Sequence, residues 1–500
     1  MAENRPLWWI AAPAAGLLAA LALPPLGWPP LLWLALVPLW ALGPRAAAVW
    51  GGVAVLVSHR WLLGLHPLDW VGVPLPLSLP LCLVLLLAIA LLGALLVGGW
   101  RWLVQRLGPE RPGTALLASA LWGFAEVLLA RGPLFWIGLG TAALPGDRAL
   151  AGLAQLLGAG GLAALQLLLG WGLWRVLVAA LPRRGAEGAV RLAPGRRPAS
   201  PWRAALLWLL LVLLLHAAGW QRLRSIAAEP RGGARSLLVL QPSIPTRRKF
   251  DADQQLQLLR LLDRAQAEAE RLGSAALLLP EGALPLGQSL PRPAGVDVLS
   301  GGFRQEGVEL RSALLVFAPG EQQPSAALDK HRLVPLGEWV PGGDLLRWAG
   351  LSAVGGLSPG APSRLLRRPD GALAVAICYE LADGRALAVA SAAGAEWLLA
   401  SANLDPYPAQ LQRQFTALAQ LRAIESGRWL VSSANTGPSL VIDAAGVVRD
   451  RLEPGRPGML AASVQRRRAV SAYARWGELP LALLAGAGIV VSLGSRVRQS

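Results

Sequence analysis

The chain has 500 residues, of which 54% are hydrophobic and only 15% charged, with a mean hydropathy of +0.46. Soluble domains carry roughly 25% charged residues, so this composition excludes a purely soluble protein once the apolar residues prove to fall in long runs. The net charge of +17 does not mark a nucleic-acid binder: residues 221–478 hold 30 basic and 24 acidic residues, and the other 17 basic and 6 acidic residues sit beside apolar segments.

A membrane-crossing helix needs about 20 apolar residues. Eight such segments are predicted, near 7–24, 29–43, 46–64, 79–100, 114–131, 150–180, 204–220 and 477–494. Other spans follow the first at once, so it reads as a retained helix rather than a signal peptide. The first two are short and rich in proline (Pro24, Pro25, Pro29, Pro30), which predicts tilted or broken helices. The domain plan is then a helical membrane domain of seven spans over 1–220, a single outer domain over 221–476, and a last span with a short tail over 477–500.

Arginine placement gives the expected orientation. With the N-terminus inside, the inner segments near 44–46, 101–113, 181–203 and the C-terminal tail hold nearly all of the loop arginines, whereas the outer loops near 25–28, 65–78 and 132–149 hold only Arg148. This satisfies the positive-inside rule and puts residues 221–476 outside, which is the periplasm in a bacterium with two membranes.

Within that outer domain, strands are predicted at 236–241, 275–280, 296–301, 312–317, 373–378, 397–401, 429–433 and 439–443, and helices at 252–272, 381–393 and 409–427. The alternation predicts an α/β fold with helices packed on sheets. Strands such as Leu373–Cys378 are apolar on both faces, as buried strands are.

Two cysteines are present. Cys82 lies in an apolar run, and Cys378 is alone in the outer domain, so no internal disulfide is available there. The four histidines have no metal-ligand spacing, and no metal or other cofactor is expected.

Three stretches carry candidate chemistry. Glu281, in Leu278-Leu279-Pro280-Glu281-Gly282, is a carboxylate at a strand end. Lys330, in Asp329-Lys330-His331-Arg332, is one of only two lysines against 45 arginines. A lysine kept in such a background suits a task that needs a compact ammonium. Cys378, in Ile377-Cys378-Tyr379-Glu380, stands where a strand meets a helix. A nucleophile there is exposed at the sheet edge, the following N–H groups can hold an oxyanion, and a helix N-terminus lowers a thiol pKa.

The order Glu281, Lys330, Cys378 resembles the Glu–Lys–Cys triad of the nitrilase superfamily. The stretch Gly337-Glu338-Trp339-Val340-Pro341, with membrane spans on both sides, is similar to the apolipoprotein N-acyltransferase family. The resemblance extends to Gln241-Pro242-Ser243-Ile244-Pro245, to Leu421–Arg428 and to Ala434-Asn435-Thr436-Gly437. The chain departs from that pattern at Phe250, where many members have tryptophan, and over Ser401–Tyr407. Both departures bear on substrate contacts rather than on the triad.

The resemblance implies a polytopic helical bundle joined to an αββα sandwich in the bacterial inner membrane. It implies transfer of an acyl chain from a membrane phospholipid to the N-terminal amine of a diacylglyceryl lipoprotein, through a thioester on Cys378. Glu281 would be the general base, and Lys330 with the N–H near Tyr379 would hold the oxyanion. Glu338 and Glu380 would orient Lys330 and the nucleophile loop. The apolar, Gly-rich stretch 339–361 is a candidate lid, with Trp339, Leu345, Leu346 and Trp348 dipping into the membrane surface. Glu126, inside the fifth span, and Arg131, at its outer end, are candidates for a lipid head-group site or an interhelical contact. A membrane-tethered nitrilase-type amidase is the alternative enzyme; eight spans exceed what a tether needs. A transporter would show symmetry between halves of the membrane region, and the sequence has none.

Overall fold

The computed structural model describes residues 8–69, 72–181, 200–228, 233–248, 251–335, 337–339, 356–405 and 407–497. Each predicted apolar segment contains a helix. They are α1 (Trp8–Ala22), α2 (Pro29–Ala41), α3 (Pro44–Ser58), α4 (Leu75–Leu107), α5 (Pro112–Arg131), the short α6 (Arg148–Ala151) followed by α7 (Ala154–Ala180), α8 (Pro201–Ala228) and, after the sheets, the last helix at Leu479–Val497. Proline opens α2, α3, α5 and α8, where its missing N–H costs no helical bond and its fixed φ suits the first turn. Among the described residues, five segments are long and apolar enough to cross a membrane: Pro44–Leu65, α4, α5, α7 and α8. The helices of the first, second and eighth predicted spans are apolar but shorter. The third predicted span is α-helical only to Ser58 and continues as a 3-10 turn over Arg60–Leu65. The sixth breaks at Gly158, whose φ of 66° and ψ of −178° interrupt α7. The ring of Tyr473 stands where a Cβ on Gly158 would project, so the break needs a glycine.

The remaining described residues build two six-stranded sheets. The first runs β12-β1-β2-β3-β4-β5, from β1 (Ala234–Gln241), β2 (Ala276–Leu284), β3 (Asp297–Glu306), β4 (Glu309–Phe317), β5 (Ala326–Asp329) and β12 (Gly458–Gln465). The second runs β11-β10-β9-β8-β7-β6, from β6 (Leu365–Leu366), β7 (Ala372–Ile377), β8 (Ala395–Ala402), β9 (Leu430–Ala434), β10 (Leu440–Ile442) and β11 (Val448–Arg451). Each has three parallel central strands, β1-β2-β3 and β7-β8-β9, with antiparallel neighbours outside them. Strand period explains the layering. Val239, Leu278 and Leu299 share one core with Leu373 and Val375 of the other sheet. Leu238, Leu277 and Val298, one residue out of phase, pack under α9 (Ala252–Arg271). The outer face of the second sheet is covered by α10 (Gly384–Ala392) and α11 (Ala409–Ser426). The short α12 (Ala472–Trp476) then leads into α13 (Leu479–Val497).

All eight predicted strands and three predicted helices of this region are present, with shifted ends. Cys378 is not the last residue of β7 but the first of a 3-10 turn, Cys378–Ala382, and the helix expected from 381 begins at Gly384. The strands the sequence did not reveal, β5, β6, β11 and β12, lie at or beside sheet edges. β5, β6 and β11 have four residues or fewer, too few for a strand period, and β11 is polar besides, reading Val-Arg-Asp-Arg.

Candidate active site

Glu281, from a break within β2, meets Lys330 and Cys378, which directly follow β5 and β7, between the two sheets. Glu281 sits on a break in β2: its ladder with β3 shifts register between Leu279 and Leu284, and Gly282 has φ +60°. Such a bulge re-aims the side chain beside it. The neighbouring strand β3 approaches so closely that a Cβ on Gly301 would lie 2.4 Å from the Glu281 Cα.

Lys330 directly follows β5 and is fully buried. Its neighbour Asp329 pairs with Arg304 and Arg311, and His331 is exposed, so the chain directs the lysine alone inward. The ammonium donates to Glu281 Oε1 at 2.6 Å and to Glu338 Oε1 at 2.7 Å. Burial alone would push its pKa down; the two carboxylates more than reverse that and hold it well above the ordinary lysine range. Glu338 fixes its own turn by accepting the Val334 N–H at 2.9 Å through Oε2. Burial pushes its carboxyl up.

Cys378 opens its 3-10 turn with φ +51°, a conformation a side-chain-bearing residue adopts only when its surroundings impose it. Contrary to the expectation of an activated thiol at a helix N-terminus, its pKa is pushed well up. Burial is the main cause and the charge and hydrogen bond of Glu281 add to it, while Lys330 opposes. The helix cannot help because α10 starts six residues later. Its first N–H groups are taken by Asp383, which accepts from Arg385 and Ala386 at 3.1 and 3.2 Å. Cys378 is therefore a neutral thiol, and it becomes a thiolate only where a base takes its proton.

The surrounding residues divide into those anticipated and those missed. Glu380 does not reach the Lys330 ammonium. Its Oε1 accepts the amides of His331 (2.7 Å) and Arg332 (3.2 Å), its Oε2 accepts the Ile377 amide (2.8 Å), and both oxygens take Arg364 Nη1. It thus ties the lysine loop to the thiol turn. The Tyr379 hydroxyl accepts the Phe135 amide from the helical region, and the two rings lie 5.3 Å apart. Trp339 is half-exposed, while Leu345, Leu346 and Trp348, like Phe250, lie outside the described residues. Glu126 and Arg131 do not meet. Glu126 accepts from Trp122 Nε1 (2.7 Å) and the Leu139 amide (2.8 Å), and Arg131 binds Glu478.

Sequence reasoning missed Arg364 and Asn403. The Asn403 amide donates to Glu281 Oε2 at 3.1 Å, and its side chain bonds Thr246 and accepts from Asn435. Asn435 in turn holds the Ile244 carbonyl. The three stretches around Ile244, Asn403 and Asn435 are therefore one network behind the base. Their repeated polar residues between strands were the available signal.

Comparison with known proteins places the chain in a family. The apolipoprotein N-acyltransferase N-terminal domain matches residues 15–172, and carbon-nitrogen hydrolase matches residues 216–474. An apolipoprotein N-acyltransferase of Prochlorococcus marinus (strain MIT 9313) is 51% identical over 100% of this chain and 98% of its own. One from Parasynechococcus marenigrum (strain WH8102) is 48% identical over 95% and 97%. Among solved structures, an amidase from Nesterenkonia sp. is 20% identical over 51% of this chain and 98% of its own, with a TM-score of 0.36. On its full-length relatives and on both domain matches, this chain belongs to the apolipoprotein N-acyltransferase family.

Proposed function

We propose that the chain transfers a fatty acyl group from a membrane phospholipid to the N-terminal α-amine of diacylglyceryl-cysteine in apolipoproteins, by two half-reactions through Cys378. Glu281 takes the thiol proton as the sulfur attacks the ester carbonyl. The Lys330 ammonium has three donors, two of which meet Glu281 and Glu338, leaving one for the oxyanion together with the N–H near Tyr379. Collapse expels the lysophospholipid alkoxide, which recovers the proton from Glu281, and a thioester remains. The lipoprotein amine then attacks the thioester, forms the amide and returns the proton to the departing sulfur.

The observation that carries this reading is the buried ammonium clamped between two carboxylates beside a neutral buried thiol, in a chain that aligns end to end with N-acyltransferases. The chain divides into a seven-span domain over 1–220, a catalytic domain over 221–476 and a final span over 477–500. All eight apolar segments cross the membrane, with both termini cytoplasmic and the catalytic domain periplasmic, as the arginine distribution favours. Residues 339–361 act as a lid at the membrane surface that keeps water from the thioester.

The test is intact mass of the wild type and of Cys378→Ala after incubation with phospholipid. An acyl increment on the wild type and none on the variant is expected. A wild type that stays unmodified, or hydrolyses lipid without passing acyl to a lipopeptide amine, rules the reading out.

A further inference from the structure

A groove of about 540 Å³ opens beside the thiol turn without including Glu281, Lys330 or Cys378 in its lining. Its walls come from the end of α5, the loop after Lys330, β6 and α10. Four arginines line it, Arg131, Arg332, Arg364 and Arg385, against three carboxylates, Glu380, Asp383 and Glu478. The carboxylates are already committed. Glu380 is filled by three amides and Arg364, Asp383 caps α10, and Glu478 accepts from Arg131 and Tyr473 at 3.1 Å each.

Two of the guanidinium groups keep unmet donors, while Arg131 binds Glu478 and Arg385 gives Nη1 to the Tyr473 and Ala474 carbonyls at 3.1 and 3.2 Å. Arg332 gives Nη2 to the Gly132 carbonyl and lies over the Tyr379 ring, but its Nη1 is buried without a partner. Arg364 Nε is buried without one as well. Burial pulls the Arg332 pKa down, a cost that a bound anion would offset. Buried donors are rarely left unmet, and planar guanidinium groups match phosphate oxygens in pairs. The remaining wall is apolar, with Leu365, Val389 and Ala393. A groove of this size and mixed lining suits a small ligand with one charged and one apolar end.

We infer that this groove binds the phosphodiester of a membrane phospholipid, with Arg332 as its principal phosphate contact, Arg385 adding positive charge from α10, and the glyceryl end on the apolar wall. The choice of a lipid over a free anion rests on the membrane orientation proposed above. Arg131 ends α5 and Glu478 immediately precedes α13, so the groove opens at the outer membrane surface. Through Glu380 and Arg332 it abuts the thiol turn, which lets it select phosphate-bearing lipids next to the site of chemistry.

The experiment uses the full chain carrying Cys378→Ala in detergent, so that binding is read with no acyl transfer. Calorimetric titrations compare dihexanoyl phosphatidylglycerol, dihexanoylglycerol and inorganic phosphate. The phospholipid is expected to bind about tenfold tighter than the phosphate-free lipid. Arg332→Gln should remove most of that difference and Arg385→Gln part of it, and Arg332→Lys, which keeps charge but loses the planar fork, should restore part of the loss. Arg385 lies on α10, away from the Gly132 contact, but it also holds the Tyr473 and Ala474 carbonyls, so the unfolding midpoint of each variant is read beside its binding. Equal binding of the two lipids, parent-like binding by both glutamine variants, or inorganic phosphate binding as tightly as the lipid would each overturn the inference. Binding as expected alongside an unmodified wild-type Cys378 would instead sink acyl transfer and leave the groove standing.

Discussion

Helices α9 and α11 occupy equivalent places, each on the outer face of one sheet, yet they are built for different neighbours. In α9, 5 of 20 residues are buried, and Leu258, Leu262, Ala265 and Ala269 form one stripe against the first sheet. In α11, 13 of 18 are buried, including Gln414, Gln420, Arg422 and Glu425. One face of α11 packs on the second sheet through Leu411, Phe415 and Leu418. The other packs on α6 and α7 through Ala417, Leu421 and Ile424. Polar bonds fix this second contact: Gln410 Nε2 donates to the Ser58 carbonyl at 3.0 Å, and the Ala159 amide, freed by the break at Gly158, donates to Glu425 Oε1 at 2.7 Å. The sheet that carries the thiol is thus fastened to the helical region. The sheet that carries Glu281 and Lys330 has its outer helix turned away from it, and the site closes across the two.

That division predicts where change is felt. The largest effect is expected from Glu281→Gln, which removes the base proposed above for the first sheet while leaving the second sheet and its helical contact intact. Acylation of Cys378 by phospholipid should slow by about 10² to 10⁴, followed as the rate of adduct formation by intact mass. A loss below about tenfold would mean the thiol does not depend on the opposite sheet. Next comes Glu425→Ala, which strands the buried Arg422 guanidinium and the Ala159 amide. Breaking a buried pair costs about 3–5 kcal/mol, so the unfolding midpoint of the purified chain should fall clearly. Its counterpart on α9, Glu268→Ala, breaks an exposed pair with Arg271 and should leave the midpoint where it was. Equal responses from the two helices would erase the distinction between the layers.

Legibility in the sequence follows the same line. The apolar segments, the central strands and the stripe of α9 come from local periodicity, so they were readable. The three residues that meet between the sheets were readable because they are unusual in their setting: one of two lysines, one of two cysteines and a carboxylate after an apolar run. The second face of α11 was not, since a buried Gln414 or Glu425 looks like a solvated residue until its distant partner is known. Arg364 was hidden for that reason too, just before a two-residue strand and with Glu380 as its partner. The state of the thiol was misread because a strand-to-helix junction was taken for a helix N-terminus. The 3-10 turn and the Asp383 cap intervene, and burial then decides the sign.

That sign gives the most modest of the expected effects. Only the thiolate reacts with iodoacetamide. With its pKa raised, Cys378 should alkylate more slowly at pH 8 than an ordinary thiol, and its rate should keep rising into more alkaline solution. Glu281 raises the thiol pKa by its charge and Lys330 lowers it. Glu281→Gln should therefore move the alkylation curve to lower pH, so the variant that acylates least alkylates faster. The second cysteine, Cys82, is buried in α4 and is removed by Cys82→Ala so that mass reports one site. Glu268→Gln on α9 should leave the curve in place. A curve that stays put or moves to higher pH in Glu281→Gln would show that burial alone sets the thiol, and that the first sheet contributes a proton acceptor without tuning the nucleophile it faces.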